Sequence, residues 1–348
     1  MTHHRLLLLD FDGTITQHDT LASLVALSID ASSSPPDIAP TTAIPSPGSP
    51  TPSSSSSTDP TPTPTTANSN SSSARKASLT TLWSEIVRDY VASHAAHVAA
   101  YHPTAEARTT LAAELAFLES VRAVEEGSVE RVGGAGFFRG LGADVLGSLG
   151  REAVRLGGGD GEGEGGGKGG KKEGEAGEGA VKLRKGLGEF LERQGGRGWD
   201  LAVVSVNWSG EFITGVVEAG CAVGQGERVR RVVANSIRFP DGRIQGPQEL
   251  GGEPLVTAGD KLRAMELLRR GLNEERVVYF GDSTTDLACL VEADFAVVMA
   301  DGAESKLLKT LKRVGFEVSH VHEAGKESKL VWARDFEEVL QSGVMERI

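Results

Sequence analysis

The sequence contains few cysteines and no long apolar run. Its two cysteines, Cys221 and Cys289, exclude a disulfide framework and a cysteine-ligated zinc cluster, and they indicate a reducing compartment. No apolar run approaches the roughly 20 residues that a membrane-spanning helix needs. The first residues, MTHHR, are followed by four leucines and an aspartate, which is not the pattern of a signal peptide. We therefore expect a cytoplasmic protein that does not bind a membrane.

Positive charge is also scarce. The chain has 36 Lys and Arg residues against 48 Asp and Glu residues, a formal net charge of -12 and a pI of about 5.2. A nucleic acid or an anionic membrane needs clustered Lys and Arg side chains, so this balance argues against either as the main partner. An anionic small-molecule substrate would need a local positive site.

Two stretches of low complexity divide the chain. Residues 32–76 consist mainly of Ser, Thr, Pro and Ala, and residues 157–180 mainly of Gly, Glu and Lys. Neither stretch can bury enough apolar surface to offset the entropy of ordering, so both are predicted to be disordered. Residues 77–156 carry apolar side chains at helical spacing and predict a small helical domain. Residues 1–31 and 181–348 remain for an α/β core.

The stretch LLLLDFDGTIT, from Leu6 to Thr16, predicts a buried strand whose end carries two carboxylates. Four consecutive leucines bounded by charge are typical of a short strand in a parallel sheet. Asp10 and Asp12 follow directly, and Gly13 stands where a tight turn needs a residue without a Cβ. Both carboxylates are expected at the carboxyl ends of the strands, where open α/β sheets bind ligands.

Other polar residues lie at the ends of apolar segments in the same way. Ser205 follows a second predicted strand, Lys261 lies in the first turn of a predicted helix, and Asp282 and Asp286 follow a third strand. Each residue alone has a common structural explanation, such as a helix cap or a turn. Together they predict one site, because converging carboxylates repel one another unless a cation lies between them. Oxygen ligands without thiolates favour Mg2+.

These motifs resemble the haloacid dehalogenase (HAD) superfamily of phosphohydrolases, and within it the phosphoserine phosphatase-like branch. The resemblance implies an α/β fold in which a three-layer, doubly wound, mainly parallel sheet carries a helical cap between the first and second motifs. The cap by position is the helical stretch 77–156. The matching segments occur in the family's order and are DFDGTIT at Asp10–Thr16, LRKGLGEFL at Leu183–Leu191, VVSVN at Val203–Asn207, the hairpin ANSIRFPDGRIQG at Ala234–Gly246, Lys261, and GDSTTD at Gly281–Asp286.

The resemblance implies unequal roles for the carboxylates. Asp10 would be the nucleophile that takes up the phosphoryl group, and Asp12 would be the proton donor and acceptor. Mg2+ would be held by Asp10, the backbone carbonyl of Asp12 and Asp282, with Asp286 supporting the metal or its waters.

The resemblance also implies where substrate would bind. Ser205 and Lys261 would hold the phosphoryl oxygens, and Gly13 and Thr14 would bring backbone amides close to the phosphate. Asn207 is a candidate substrate contact. Two further positions have alternative interpretations, since Asp19 would either meet a substrate amine or cap a helix, and Trp208 would either line the pocket or pack.

The expected function is a Mg2+-dependent phosphomonoesterase that hydrolyses a small phosphorylated metabolite through an aspartyl phosphate. Asp12 favours phosphate esters over carbon–halogen bonds, because the haloalkanoic acid dehalogenases of the superfamily lack an acid/base aspartate at that position. Candidate substrates are phosphoserine, phosphocholine or phosphoethanolamine, pyridoxal phosphate, a sugar phosphate and a phosphorylated intermediate of methionine salvage. The alternatives are a catalytically weak regulatory or interaction protein of the same fold, and a protein phosphatase.

Overall fold

The computed structural model describes residues 5–33, 67–158, 179–220, 229–272 and 276–348 of the chain. Most of the tract 32–76, and nearly all of the loop 157–180, lie outside the described residues, so the disorder predicted there stays a prediction. Cys221 also lies outside them, whereas Cys289 is described and buried.

Within the described residues, strands account for the apolar runs that the sequence places between helices. In chain order they are β1 (Arg5–Leu9), β2 (Asp200–Val204), β3 (Arg231–Val233), β4 (Ser236–Arg238), β5 (Arg243–Gln245), β6 (Arg276–Gly281), β7 (Phe295–Met299), β8 (Ser319–His320) and β9 (Leu330–Ala333).

The described α-helices separate most of these strands. They are α1 (Leu21–Ser33), α2 (Ala67–Ala100), α3 (Leu111–Ser120), α4 (Arg122–Gly134), α5 (Ala143–Leu156), α6 (Leu187–Gly196), α7 (Gly210–Gly220), α8 (Ala258–Leu272), α9 (Leu287–Glu292), α10 (Lys306–Arg313) and α11 (Phe336–Ser342). No helix among the described residues is long and apolar enough to cross a membrane.

Seven strands form one parallel sheet with the order β3-β2-β1-β6-β7-β9-β8. The chain runs from β1 outward to β3 on one side and from β6 outward on the other. The neighbouring strands β1 and β6 therefore flank the switch point, where a crevice opens at the carboxyl ends of the strands. The predicted hairpin is confirmed, because β4 and β5 pair in an antiparallel manner beside the sheet.

The sheet is covered by helices on both faces, which confirms the predicted three-layer α/β fold. Alternate side chains of β1 enter two separate cores, as the two-residue period of a strand requires. Leu7 and Leu9 pack with helices α1, α5, α6, α7 and α11, while Leu6 and Leu8 pack with α3, α8, α9 and α10. All four leucines are fully buried.

Two boundaries differ from the sequence prediction. Helix α2 begins at Ala67, so the last ten residues of the tract predicted as disordered are helical in the structure. Extending an existing helix needs no new nucleus, and the Ser-rich composition alone did not reveal the extension. Helix α5, which the prediction included in the cap, packs closely on the core helix α7 instead.

Glycines allow the close contact between α5 and α7. A Cβ on Gly150 would overlap the carbonyl oxygen of Phe212, and a Cβ on Gly215 would overlap that of Gly147. A Cβ on Gly147 itself would lie 3.6 Å from the nearest atom, which is an ordinary contact. The two helices therefore pack backbone to backbone, and this contact fixes α5 against the sheet layer.

We predict opposite effects for two glycine substitutions in α5. Gly150→Ala should lower the free energy of unfolding by about 1–3 kcal/mol, because the added methyl has no room. Gly147→Ala is the matched control and should raise it by up to about 1 kcal/mol, because Ala is the better helix former. Chemical denaturation of both variants measures this, and equal effects would contradict the packing described.

Candidate active site

Four residues predicted from the sequence meet at the carboxyl ends of β1 and β6. Asp10 follows β1, Asp282 and Asp286 follow β6, and Lys261 reaches them from the first turn of α8. Lys261 Nζ donates to Asp10 Oδ1 at 2.6 Å and to Asp286 Oδ1 at 2.7 Å, and its side chain has no exposed surface. One oxygen from each of the three aspartates lies within 4.8 Å of the others.

The turn after β1 is shaped by a single carbonyl. The Phe11 carbonyl oxygen accepts from the amides of Thr14, Ile15 and Thr16, which folds the chain back on itself directly after Asp10. Gly13 has a φ of +74°, and a Cβ there would overlap the Asp282 carboxylate. Glycine is therefore required at this position both for the backbone conformation and for the space.

Asp286 is held by the loop that carries it and by a residue that the sequence analysis missed. Its Oδ1 accepts from the Tyr279 hydroxyl at 2.7 Å as well as from Lys261. Its Oδ2 accepts from the amides of Asp282 and Ser283, at 3.2 and 3.0 Å. Tyr279 lies inside β6, whose continuous apolar run indicated only a buried strand.

Burial and crowding act on the charges of this cluster. The pKa of Asp10 is raised by burial and by the Asp286 carboxylate, although Lys261 opposes the rise. Burial and Asp286 raise the pKa of Asp282 from 3.8 to about 7. Burial would lower the pKa of Lys261, but Asp10 and Asp286 outweigh that effect, so its pKa is raised and it stays protonated.

The cluster fits a hard divalent cation. Three carboxylates face one ammonium, so negative charge remains uncompensated. Carboxylate oxygens without sulfur ligands suit Mg2+ and similar ions. Each of the three aspartates offers an oxygen to such an ion. The hydrogen bonds shown for Asp286 engage both of its oxygens, whereas those of Asp10 and Asp282 engage Oδ1 alone.

Asp12 has its own set of donors. Its Oδ1 accepts from the Thr20 amide at 2.8 Å and the Thr20 hydroxyl at 2.7 Å, and its Oδ2 accepts from Asn207 Nδ2 at 2.8 Å. Burial and the nearby Asp19 carboxylate raise the pKa of Asp12 to about 6, although these hydrogen bonds lower it. Asp12 is therefore oriented and poised to exchange a proton near neutral pH.

The structure shows contacts for Asn207 and Thr20 that the sequence analysis did not foresee. Asn207, a candidate substrate contact, is fully buried and donates to Asp12 and to Thr20 Oγ1, and its contact with substrate stays a prediction. Its Oδ1 accepts from the Ser209 amide at 3.2 Å. Thr20 was not among the predicted site residues, and its place between Asp19 and the apolar start of α1 carries no signal for this contact in the sequence.

The residues predicted to hold phosphate lie next to the cluster. Ser205 is fully buried, and its hydroxyl oxygen accepts from the Asn207 amide at 3.1 Å. Thr14 Oγ1 donates to Asp282 Oδ1 at 3.3 Å. The amides of Gly13 and Thr14 have acceptors inside the turn, at Thr16 Oγ1 and the Phe11 carbonyl. Phosphate contacts from these groups stay predictions.

A cavity of about 1330 Å³ opens above Asp10 and Asp12 and is covered by the helices α2, α3 and α4. Trp83 of α2 meets Trp208 edge to face at 6.1 Å, so Trp208 both lines the cavity and packs. Tyr90 donates to Glu125 Oε1 at 2.9 Å on the same wall. Asp19 also lines the cavity while its carboxylate accepts from the Leu21 amide at 2.9 Å, as a helix cap does.

Arg122 connects the covering helices to the helix of Lys261. From the start of α4 its Nη2 donates to Thr257 Oγ1 at 3.0 Å and to Asp260 Oδ1 at 2.9 Å. The Thr257 amide donates to Asp260 Oδ2, and the Asp260 amide donates to Thr257 Oγ1, as in a capping box. The position of α4 is thereby linked to the residue that precedes Lys261.

The sequence of the chain is only partly similar to those of known proteins. No protein-family model matches the chain. The "Bifunctional TH2 protein, mitochondrial" of Arabidopsis thaliana is 31% identical over 127 residues, which is 35% of this chain and 19% of that protein. The chain therefore spans about a fifth of the length of the curated relative it matches.

The solved structures that resemble the chain align over nearly all of it but share little sequence with it. A substrate-bound phosphoserine phosphatase complex is 12% identical, with a TM-score of 0.43 over 98% of this chain and 99% of that one. A phosphoserine phosphohydrolase-like protein from Francisella tularensis subsp. tularensis SCHU S4 is 12% identical, with a TM-score of 0.40 over 97% and 98% of the two chains.

We predict that the cluster makes the metal-free protein less stable as pH rises. Asp282 binds a proton more tightly in the folded chain, with a pKa of about 7, than at its ordinary value of 3.8. The stability that this bound proton adds to the folded state is fully present below about pH 4 and is lost as the pH rises to about 7. Asp282→Asn should reduce this fall in thermal unfolding temperature measured in EDTA.

The matched control is Glu292→Gln, which changes an exposed carboxylate at the end of α9. Its pH profile should follow that of the wild type. Added Mg2+ at pH 7.5 should raise the unfolding temperature of the wild type and of the control, but raise that of Asp282→Asn much less. Identical profiles for all three proteins would contradict the electrostatic account.

Proposed function

We propose that this protein is a cytoplasmic Mg2+-dependent phosphomonoesterase that hydrolyses a small phosphorylated metabolite through an aspartyl phosphate on Asp10. The observation that carries the proposal is the pairing of two differently held carboxylates on one turn. Asp10 contacts Lys261 and faces Asp282, whereas Asp12 is held by neutral donors from Thr20 and Asn207. Such a pair divides nucleophile and proton donor between neighbouring residues.

Asp10 would perform the first step. Lys261 binds Oδ1, so we assign the attack on phosphorus to Oδ2. The bond from phosphorus to the leaving oxygen breaks as the aspartyl phosphate forms, which splits a difficult hydrolysis into two easier steps. The Lys261 ammonium compensates charge on Asp10 and lies within reach of the incoming phosphoryl oxygens.

Asp12 would move the protons in both steps. With a pKa of about 6, part of the population is protonated near neutral pH and can donate to the leaving oxygen. The resulting carboxylate then accepts a proton from the water that attacks the aspartyl phosphate. Phosphate leaves, Asp10 is regenerated, and Asp12 is protonated again, so that atoms and charges balance over the cycle.

A divalent cation would be held by Asp10 and Asp282, with the backbone carbonyl of Asp12 as the third group predicted from the sequence. When bound, it offsets the repulsion between the carboxylate cluster and the anionic substrate. Asp286 would contribute indirectly, by fixing Lys261 and the amides of the Asp282 loop. The Thr14 hydroxyl, which donates to Asp282, would help to orient that ligand.

The cavity supports a small-molecule substrate. Helices α2, α3 and α4 cover the carboxylates, which disfavours a folded protein as substrate. The walls combine aromatic rings with the Tyr90–Glu125 pair, so the leaving group would meet both apolar and polar contacts. This lining suits an organic phosphate monoester whose leaving group has both apolar and polar parts.

The test is a panel of phosphate monoesters measured by phosphate release with Mg2+. The wild type should hydrolyse p-nitrophenyl phosphate and at least one alkyl phosphate. Asp10→Asn should abolish turnover of both, because no nucleophile remains. Asp12→Asn should slow the first step, read as alcohol or phenol release within the first turnover, by about 10²- to 10⁴-fold for the alkyl phosphate and much less for p-nitrophenyl phosphate, whose leaving group needs no protonation. The second step is common to both esters and should slow equally for both.

Glu292→Gln is again the matched carboxylate-to-amide control and should keep wild-type rates. Circular dichroism and thermal unfolding establish that each variant is folded. A wild type that releases no phosphate from any ester, or an active Asp10→Asn variant, would refute the proposal. Equal losses of Asp12→Asn in the first step with both substrates would refute the assigned role of Asp12 as proton donor.

A further inference from the structure

A short segment before α6 runs alongside the turn that carries Asp10 and Asp12. The Gln17 amide donates to the Lys182 carbonyl at 2.8 Å, and the Arg184 amide donates to the Ile15 carbonyl at 2.9 Å. Between these bonds, Thr16 and Leu183 form an antiparallel bridge. Residues 182–184, which we term the strap, therefore brace the turn along Ile15 to Gln17.

The side chain of Arg184 continues this contact into the turn itself. Its Nε donates to the Gly13 carbonyl oxygen at 2.8 Å. Its Nη1 donates to Asp301 Oδ1 at 2.9 Å and to the Arg334 carbonyl oxygen at 2.6 Å. One guanidinium thus joins the loops that follow β1, β7 and β9.

The surroundings indicate that geometry, rather than charge, is the reason for an arginine here. The Arg184 side chain is 7% exposed, whereas its carboxylate partner Asp301 is 80% exposed. An ion pair with so exposed a partner contributes little, while burial of a guanidinium is costly unless its donors are satisfied. The planar fork binds two backbone carbonyls at once, which a lysine ammonium on a flexible stem does less well.

Gly13 is the residue of the turn that most needs such support. Its backbone is in the left-handed region and touches the Asp282 carboxylate, so a shift of its peptide group would alter the spacing between Asp10 and Asp282. Gly13 lacks a side chain, and its amide donates to Thr16 Oγ1 within the same turn. The bond from Arg184 to its carbonyl anchors it from outside the turn.

We propose that Arg184 is a positioning residue that fixes the catalytic turn against the Asp282 loop through the Gly13 carbonyl. This inference rests on the proposed phosphatase function for its kinetic effect. Arg184 contacts backbone and not the reacting groups, so its loss should slow the chemical step more than it weakens substrate binding. A displacement of about 1 Å at a reacting centre costs on the order of 10²-fold in rate.

The experiment compares Arg184→Lys and Arg184→Ala with the control Arg193→Ala, whose side chain makes a partly exposed ion pair with Glu346, a residue that follows α11. With p-nitrophenyl phosphate, both Arg184 variants should lose about 10- to 100-fold in kcat, with KM within about threefold of wild type. Guanidinium chloride at millimolar concentration should partly restore kcat in Arg184→Ala. The control should match wild type.

Amide hydrogen exchange separates this inference from the proposed function. The peptide spanning residues 10–17 should exchange faster in Arg184→Lys than in wild type and in Arg193→Ala, whether or not any ester is hydrolysed. If the wild type is inactive but this exchange difference appears, the proposed function fails and the positioning role stands.

The inference itself is overturned if Arg184→Lys shows wild-type exchange in this peptide. It is also overturned if an active Arg184→Lys keeps wild-type kcat, or if its loss lies in KM alone. Should Arg184→Ala fail to fold, Arg184→Lys still decides both points, because it keeps the charge and most of the buried stem.

Discussion

The ion pairs between Lys261 and two aspartates are the interactions on which the site depends. Their distances are 2.6 Å to Asp10 and 2.7 Å to Asp286, and the lysine has no exposed surface. Removing one partner from such a pair leaves a buried charge, which is strongly destabilising. The end of β1, the start of α8 and the loop after β6 are therefore held in one arrangement. Since one ammonium cannot balance three carboxylates, the same arrangement favours a bound cation.

Residues that directly follow strands could be predicted from the sequence. The leucine run of β1 and the apolar run of β6 indicate buried parallel strands, and parallel strands end at one edge of the sheet. Asp10 and Asp282 were therefore expected to meet, and they do. Lys261 was predicted to join the same site, but its direct bond to Asp10 across 251 residues depends on how α8 packs, which no local pattern encodes.

The partners of these residues could not be predicted in the same way. Asn207 contacts Asp12 across 195 residues, and Arg184 contacts Gly13 across 171. Asn and Arg side chains occur throughout surfaces and turns, so their types carry no signal until the fold brings them together. Helix α5 was assigned to the cap for a related reason. Its apolar face was visible in the sequence, but the glycine contact with α7 that places it on the core was not.

The central claim is that Asp10 carries the phosphoryl group during turnover, and rapid acid quench with peptide mapping tests it most directly. Wild-type protein is mixed with an ester that it hydrolyses and quenched within the first turnover, and its peptides are analysed by mass spectrometry. The account predicts a phosphoryl group on the peptide containing Asp10, at that residue, lost on treatment with hydroxylamine. A phosphoryl group on any other side chain, or steady turnover with an unmodified Asp10 at every quench time, would contradict it.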